Sequence, residues 1–400
     1  MSEVIQSFQK LKTYCETENF EGWDPYDGLN SKVFQALPLK HWDLARLAWI
    51  QGFKRSPVNF RKLLLVPKKH NSKGIALMLS GYCQLYEASR QGKTEFGTSE
   101  VLLDKIEYLA DLLLKLSNKS YSGACWGYSF DWQSKAFFLP YNTPTVVATA
   151  FCVEALFSAF EITKNESFYD VACSAANFVL NDLNRIKKPK GDFMFSYSPI
   201  DNRAVYNASL LGSKILAMVY GYTKDETLKE VAVLTANAVC KMQNEDGSFP
   251  HSDQIGNTWR DSFHTGFKLE ALEYCRRLCE AEGLQTHIDK GFKYWINNYF
   301  NHETGFSFYY DRNMQPTLVD LHCVSQAIST IFKLNKTDKY SQFLNKIVNW
   351  AIDNMQSSRG YFYFQRKKGI LNKIEYLRWP NAWMFYGLSY YLLHEKVCDT

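Results

Sequence analysis

A repeat constrains this chain more than any other feature. Short glycine-plus-aromatic tags recur along its 400 residues: EGWDPYDG near Gly22, CWGYSFDW at Gly127, GDFMFSYS at Gly191, DGSFPHSD at Gly247, TGFSFYYD at Gly305 and RGYFYFQR at Gly360. The last four glycines lie 56, 58 and 55 residues apart. A fixed period of that length marks stacked supersecondary units, none of which can bury its apolar face alone.

Between the tags the pattern is helical. In TPTVVATAFCVEALFSAFEIT the apolar residues return at three- and four-residue steps, and Thr143 with Pro144 predicts the helix start. SFYDVACSAANFVLNDL then predicts a second helix leading to the next tag. The same pairing predicts 74–92 with 99–118, 204–222 with 225–243, 262–282 with 285–300, and 317–333 with 337–356. Two helices have no sequence neighbour to pair with, about 3–18 and 379–395; pairing them closes a ring. The expected fold is therefore all-α: an (α/α)6 toroid of six helical hairpins with inner and outer helix rings, one domain over 1–400. The helix after each tag is expected inside, because those helices (YNASLLGSKILAM, HCVSQAIST) are rich in the small residues a crowded inner ring needs. The segment 33–54 is read as an extra helix and the basic, proline-containing 55–73 as a loop.

Composition narrows the partners. Hydrophobic residues at 46% and charged residues at 22% suit a chain with a substantial core. Aromatics at 16% predict either a ring-filled core or a ring-lined cavity. The net charge of +5 is small and dispersed, so no nucleic-acid partner is expected. The one basic cluster, Arg366, Lys367, Lys368 and Lys373, reads as a solvated loop. The ten cysteines form no C-x-x-C pair, and Cys152 and Cys240 sit in apolar helical runs where a free thiol acts as a small hydrophobe. With no signal peptide at the start, a cytoplasmic location is expected. No bilayer-spanning segment is expected. No glycine-rich phosphate loop calls for an organic cofactor, and nothing in the sequence sets an oligomeric state.

Two motifs carry a resemblance. QNEDGSF, 243–249, is similar to the repeat tag of terpene cyclases, and DSFHTGFKLEAL, 261–272, resembles a helix start of protein prenyltransferase β subunits. The chain as a whole looks like the α/α-toroid enzymes, which include six-hairpin glycosidases, uronyl epimerases and polysaccharide lyases. With GYSFDWQSKAFFLPYNTPT and the closing YLRWPNAWMFYGLSYYL it most resembles uncharacterised toroids associated with bacterial polysaccharide biosynthesis. The resemblance implies an enzyme acting on a glycan or sugar intermediate, by epimerisation, β-elimination or hydrolysis.

Ring closure would bring the starts of the inner helices to one rim. Those starts supply Asn142 and Thr143; Tyr206 and Asn207; Arg260, Asp261 and His264; Asp320 and His322; and Arg378, Trp379 and Asn381. The tags add Trp126, Tyr128, Asp131, Trp132, His251, Asp253 and Tyr310. Convergent polar and aromatic groups in a concavity make a ligand site. His264 and His322 suit acid–base work near neutral pH. Asp261, Asp320 and Asp131 are the candidate catalytic carboxylates. Arg260 and Arg378 are candidate clamps for an anionic sugar group. Trp126, Trp132 and Trp379 are candidate sugar platforms, and Tyr128, Tyr206, Asn207 and Asn381 candidate polar contacts.

Each residue also has a purely structural reading. Asp261 would cap its helix, His264 would sit satisfied in the interior, and Asp131 would close a turn. Trp379 and Trp383 would fill core. Asp320 and His322 are two apart on a helix and point different ways, so one of them is structural. Two functional alternatives stand beside the sugar enzyme. The first is an isoprenoid cyclase or prenyltransferase, but the chain has neither D-x-D-D nor D-D-x-x-D. Its zinc variant would need Asp320, Cys323 and His264, against the expectation of no metal. The second is a toroid that binds a glycan or peptide without chemistry.

Overall fold

The inner-ring helices are buried on nearly every face. In the computed structural model, which describes residues 3–134, 137–252, 259–311 and 318–394, they alternate in sequence with amphipathic partners. In chain order the helices are α1 (Glu3–Thr17), α2 (Lys32–Gln35), α3 (Asp43–Arg55), α4 (Ser72–Arg90), α5 (Ser99–Leu116), α6 (Val146–Thr163), α7 (Glu166–Asn177), α8 (Tyr206–Thr223), α9 (Glu226–Cys240), α10 (Ser262–Leu278), α11 (Gln285–Asn298), α12 (Leu321–Lys333), α13 (Thr337–Met355) and α14 (Ala382–His394).

Helices α4, α6, α8, α10, α12 and α14 each pack on the next, and α14 packs back on α4, so the inner ring is closed. Helices α5, α7, α9, α11 and α13 lie outside their own partners, and α1 lies against α13 and α14. The sixth hairpin is thus made from the two ends of the helical region, as expected. The chain is an all-α toroid. Among the described residues one helix, α6, is long and apolar enough to cross a membrane, and 72% of that window is buried in the inner ring.

The tags explain the period. At Gly247 the backbone has φ +90°, and a Cβ would lie 2.4 Å from the carbonyl oxygen of Lys290 on the next outer helix. At Gly360 φ is +97° and the clash would be with Lys10 on α1, also at 2.4 Å. Only glycine takes that conformation at that approach without strain. A glutamine repeats with it: Gln243 donates to Gly247 O and His287 O, and Gln356 to Gly360 O and Ser7 O. The tags at Gly247, Gly305 and Gly360 therefore bolt one hairpin to the next outer helix.

The tags also cap the inner helices. The first N–H of a helix has no partner within it. Val146, Tyr206 and Ser262 give theirs to the carbonyls of Tyr197, His251 and Tyr309 in the following tag, at 3.0, 3.1 and 2.9 Å. Side chains of Asn71, Thr145, Asp261 and Asp320 cap four of the same six helices. One rim thus collects six helix starts and the tag aromatics.

Several boundaries differ from expectation. Thr145, not Thr143, caps α6, because Pro144 is spent in a bridge with Gly127. The single helix expected over 33–54 is three pieces: α2, a 3-10 turn at Pro38–His41, and α3. Pro38 lacks the N–H that a continuous helix needs. The final inner helix starts through a wide turn, Leu377–Asn381, that accommodates Pro380.

Candidate active site at the rim

On the ring axis three side chains from alternate inner helices form a layer. Phe151, Phe267 and Trp383 pack with centroids 5.3 Å (Phe151–Phe267), 5.3 Å (Phe151–Trp383) and 5.6 Å (Phe267–Trp383) apart. On one side of this floor lies a buried charge network. Glu154 accepts from Lys214 at 2.6 Å, Lys333 at 2.5 Å and Tyr274 at 2.9 Å; Lys333 also reaches Glu270 at 3.0 Å. Two carboxylates matched by two ammoniums, all inside the ring, plug its centre.

On the rim side stands the Asp261–His264 pair. Asp261 is buried at the start of α10. One of its oxygens accepts the backbone N–H of His264 at 2.7 Å, and the other accepts from Nδ1 at 2.7 Å. A carboxylate only accepts, so Nδ1 carries the proton and Nε2 is left to exchange one. The His264 side chain is about one-fifth exposed (21%). The sequence offered Asp261 as a cap or as a catalytic group; it is a cap that also orients the histidine.

His322 shares the wall. The rings of His264 and His322 each lie 4.1 Å from Phe263. His322 is also stacked on Trp383 at 4.0 Å and meets Trp379 edge-on at 5.1 Å. It is buried, and among the described residues neither ring nitrogen has a hydrogen-bond partner. Burial, with Lys73 next, holds its pKa well below the ordinary histidine value, so the ring is neutral. Asp320 sits at the start of the same helix and accepts from Trp379 Nε1 at 2.8 Å, Gln365 Nε2 at 2.6 Å and His322 N at 2.9 Å. It aims Trp379 rather than facing the funnel. Burial pushes its carboxyl up to about 6.

Other expected site residues have structural work. Trp126 is fully buried and its indole donates to Leu113 O at 2.8 Å, so it offers no face to a sugar. Asn381 is also fully enclosed, bonding Phe362 N and Tyr376 O. Tyr206 and Asn207 are buried in the first turn of α8. Asp131 accepts Tyr141 N at 2.6 Å and closes its loop. Arg378 is clamped by both oxygens of buried Asp24, and Arg260 is tied to Ser248 at 2.8 Å and Asp246 at 3.6 Å. The charge of Arg378 is thereby matched inside the wall, whereas Arg260 is about one-third exposed (31%) and only loosely paired. Cys323 is buried in α12, and among the described residues no group of three His, Cys, Asp or Glu side chains is placed to hold a metal.

Trp132, Tyr128 and Trp379 do line the rim. Tyr26 of the first tag meets Trp379 at 5.7 Å and Trp132 at 6.4 Å, Trp132 meets Tyr197 at 6.4 Å, and Tyr128 shares a hydrogen bond with Tyr197 at 2.9 Å. His251 stacks on Trp259 at 4.1 Å, 5.4 Å from His264, and burial pushes its pKa down to about 2. Tyr310 meets Trp259 at 6.3 Å. Asp253 lies outside the described residues.

One residue escaped the sequence reading. Lys73, the second residue of α4, is buried over the axial floor: its Nζ lies 4.4 Å from the Phe151 centroid, 4.8 Å from Phe267 and 5.1 Å from Trp383. In HNSKGIALMLSG it looks like an ordinary charge ahead of an apolar helix, and only ring closure carries it to the axis.

No protein-family model and no curated protein sequence matches the chain. Solved structures do match, and they place the chain in a fold class, the α/α toroids. A glycoside hydrolase family 76 α-mannanase of Bacteroides thetaiotaomicron superposes with a TM-score of 0.60 at 15% identity, over 80% of this chain and 86% of that one. A cellobiose 2-epimerase of Bacillus thermoamylovorans gives 0.61 at 13% identity, over 82% and 89%. A polysaccharide lyase gives 0.58 at 10% identity, over 97% and 96%.

Proposed function

We propose that this protein is a carbohydrate-active enzyme that moves a proton at a sugar carbon, as an epimerase or a β-eliminating lyase. The observation that carries this reading is the Asp261–His264 pair beside the partnerless ring of His322. Asp261 orients the His264 ring and stabilises the imidazolium that forms when Nε2 takes a proton, so His264 is the base. A neutral imidazole donates a hydrogen bond without surrendering its proton, and His322 is assigned to the substrate oxygen where negative charge grows. Trp132, Trp379 and Tyr128 give ring faces and a hydroxyl for the sugar. Hydrolysis is the weaker reading, since it needs two carboxylates flanking the bond. At this rim Asp131, Asp261 and Asp320 already hold a loop, a histidine and a tryptophan.

Three named structural neighbours, a mannanase, an epimerase and a polysaccharide lyase, support a glycan or sugar substrate. We read residues 1–400 as one toroid domain working in polysaccharide metabolism in the cytoplasm. The nine described cysteines, all free thiols, support a reducing compartment. The test is incubation with uronate and neutral oligosaccharides in D2O. Deuterium at a ring carbon, or an unsaturated product, is expected from the wild type and not from His264→Ala. Cleavage to saturated sugars with no exchange would sink the proton-transfer reading.

A further inference from the structure

The rim is well supplied with cations, and nearly all of them are spent. Arg378 is held by Asp24 and Arg260 by Ser248 and Asp246. Lys54 donates to the Tyr26 hydroxyl at 2.7 Å, and Lys268 to the carbonyls of Phe249 and Pro250 at 3.1 and 3.2 Å. Lys73 differs. Among the described residues no carboxylate pairs with it and no acceptor takes its three N–H groups; it has only the faces of three rings. Ring faces attract the charge but leave the donors unused.

The groups around it are equally unspent. Both nitrogens of His322 and the Nε1 of Trp383 are buried with no partner among the described residues. With Lys73 as an ammonium, donors outnumber acceptors: three N–H on Lys73, one on Trp383 and one on neutral His322, against a single imidazole lone pair. On Trp383 and His322 these polar atoms are fully buried, and a buried donor without an acceptor is costly. A ligand that completes this set must be rich in acceptors and negative.

We propose that Lys73 on the aromatic floor is the anion site of the rim, and that it receives the carboxylate of a uronic-acid residue. This rests on reading the rim as a carbohydrate site, and it names the substrate class. A carboxylate there lies beside His322, so the charge that develops when the neighbouring carbon loses its proton falls among these donors. Burial, then Arg378, holds the Lys73 pKa well below the ordinary lysine value; Asp24 and Cys152 act the other way, and His322 adjoins it neutral. An arriving carboxylate acts against that shift by stabilising the ammonium.

The test is titration calorimetry on the full chain. The ligands are matched disaccharides with glucuronate, galacturonate or mannuronate at one residue, their neutral counterparts and the corresponding sugar 6-phosphates. At least one uronate is expected to bind tenfold or more tighter than its neutral partner. Lys73→Met should erase the preference while leaving neutral-sugar affinity in place. If Lys73→Met does not fold, the wild-type preference decides alone. Equal binding of uronate and neutral sugar overturns the inference and leaves the carbohydrate reading standing. A gain with the phosphate and not the uronate overturns the carboxylate assignment. Binding of no sugar overturns both.

Discussion

Asp261 holds His264 twice, once through its backbone N–H and once through Nδ1, each at 2.7 Å. A single carboxylate thereby sets the start of α10 and the tautomer of the ring one turn on. The spacing of three residues makes this geometry available, since such residues share a helix face.

The two jobs separate by mutation. Asp261→Asn keeps an oxygen for the cap, but its amide can donate to Nδ1 and select the wrong tautomer. Proton exchange into substrate should fall by about 10²–10⁴-fold, with little change in melting temperature. Asp261→Ala should lose the same activity and, in addition, about 1 kcal/mol of stability for the missing cap. Steady-state exchange rates and thermal unfolding on both variants check this. Full activity in Asp261→Asn would remove His264 from the base role.

Asp320 makes the fold pH-sensitive in a definite direction. Its folded carboxyl is pushed up to about 6 by burial, above the ordinary 3.8. The folded state therefore binds the proton more tightly than the unfolded state. Stability from this group is fully present below the ordinary value and declines as pH rises toward 6, by roughly 3 kcal/mol. Asp320→Asn removes that decline. The variant's melting temperature relative to wild type should climb between pH 4 and pH 6.5 and be flat above. A constant offset across that range would contradict the assignment.

The axial charge network should behave as a unit. Glu154→Gln leaves Lys214 and Lys333 sharing only Glu270 inside the ring, and breaking a buried pair from one side costs about 3–5 kcal/mol. The urea midpoint should drop accordingly. Glu154→Gln with Lys214→Met should recover part of the loss, because it restores the balance of charge. Independent, additive losses would show that the two do not couple.

Ring closure can be probed at one tag. Gly360→Ala places a Cβ 2.4 Å from Lys10 O at φ +97°, whereas Gly191→Ala, at φ +82°, meets nothing within 4 Å. Both pay for the backbone, about 1 kcal/mol or more, but only Gly360→Ala pushes α1 off the ring. Hydrogen exchange should show lost protection in α1 for Gly360→Ala and not for Gly191→Ala.

Much of the architecture was legible because a repeat states the same fact several times. The tags, the small-residue inner helices and the partnerless end helices together implied a closed ring. Local chemistry was legible where it is local: Asp261 and His264 are three apart. Long-range pairings were not. Nothing near Arg378 announces that Asp24 will neutralise it, and nothing in CWGYSFDW separates Trp126, which turns into the core, from Trp132, which stays at the rim. Lys73 was hidden for the same reason, since its value lies in three rings contributed by α6, α10 and α14.

Those three rings have a consequence for biogenesis. Trp383 sits on the last inner helix, and α14 needs both α4 and α1, which leave the ribosome long before it. The nascent chain thus carries an open arc whose first and last seams stay raw until the final hairpin arrives, with high contact order at that seam. A product truncated before α14 lacks the floor under Lys73 and one face of His322. The inner ring then becomes whole in one step when α14 docks, and a molecule that stops short of it leaves the flanks of α4 and α12 uncovered.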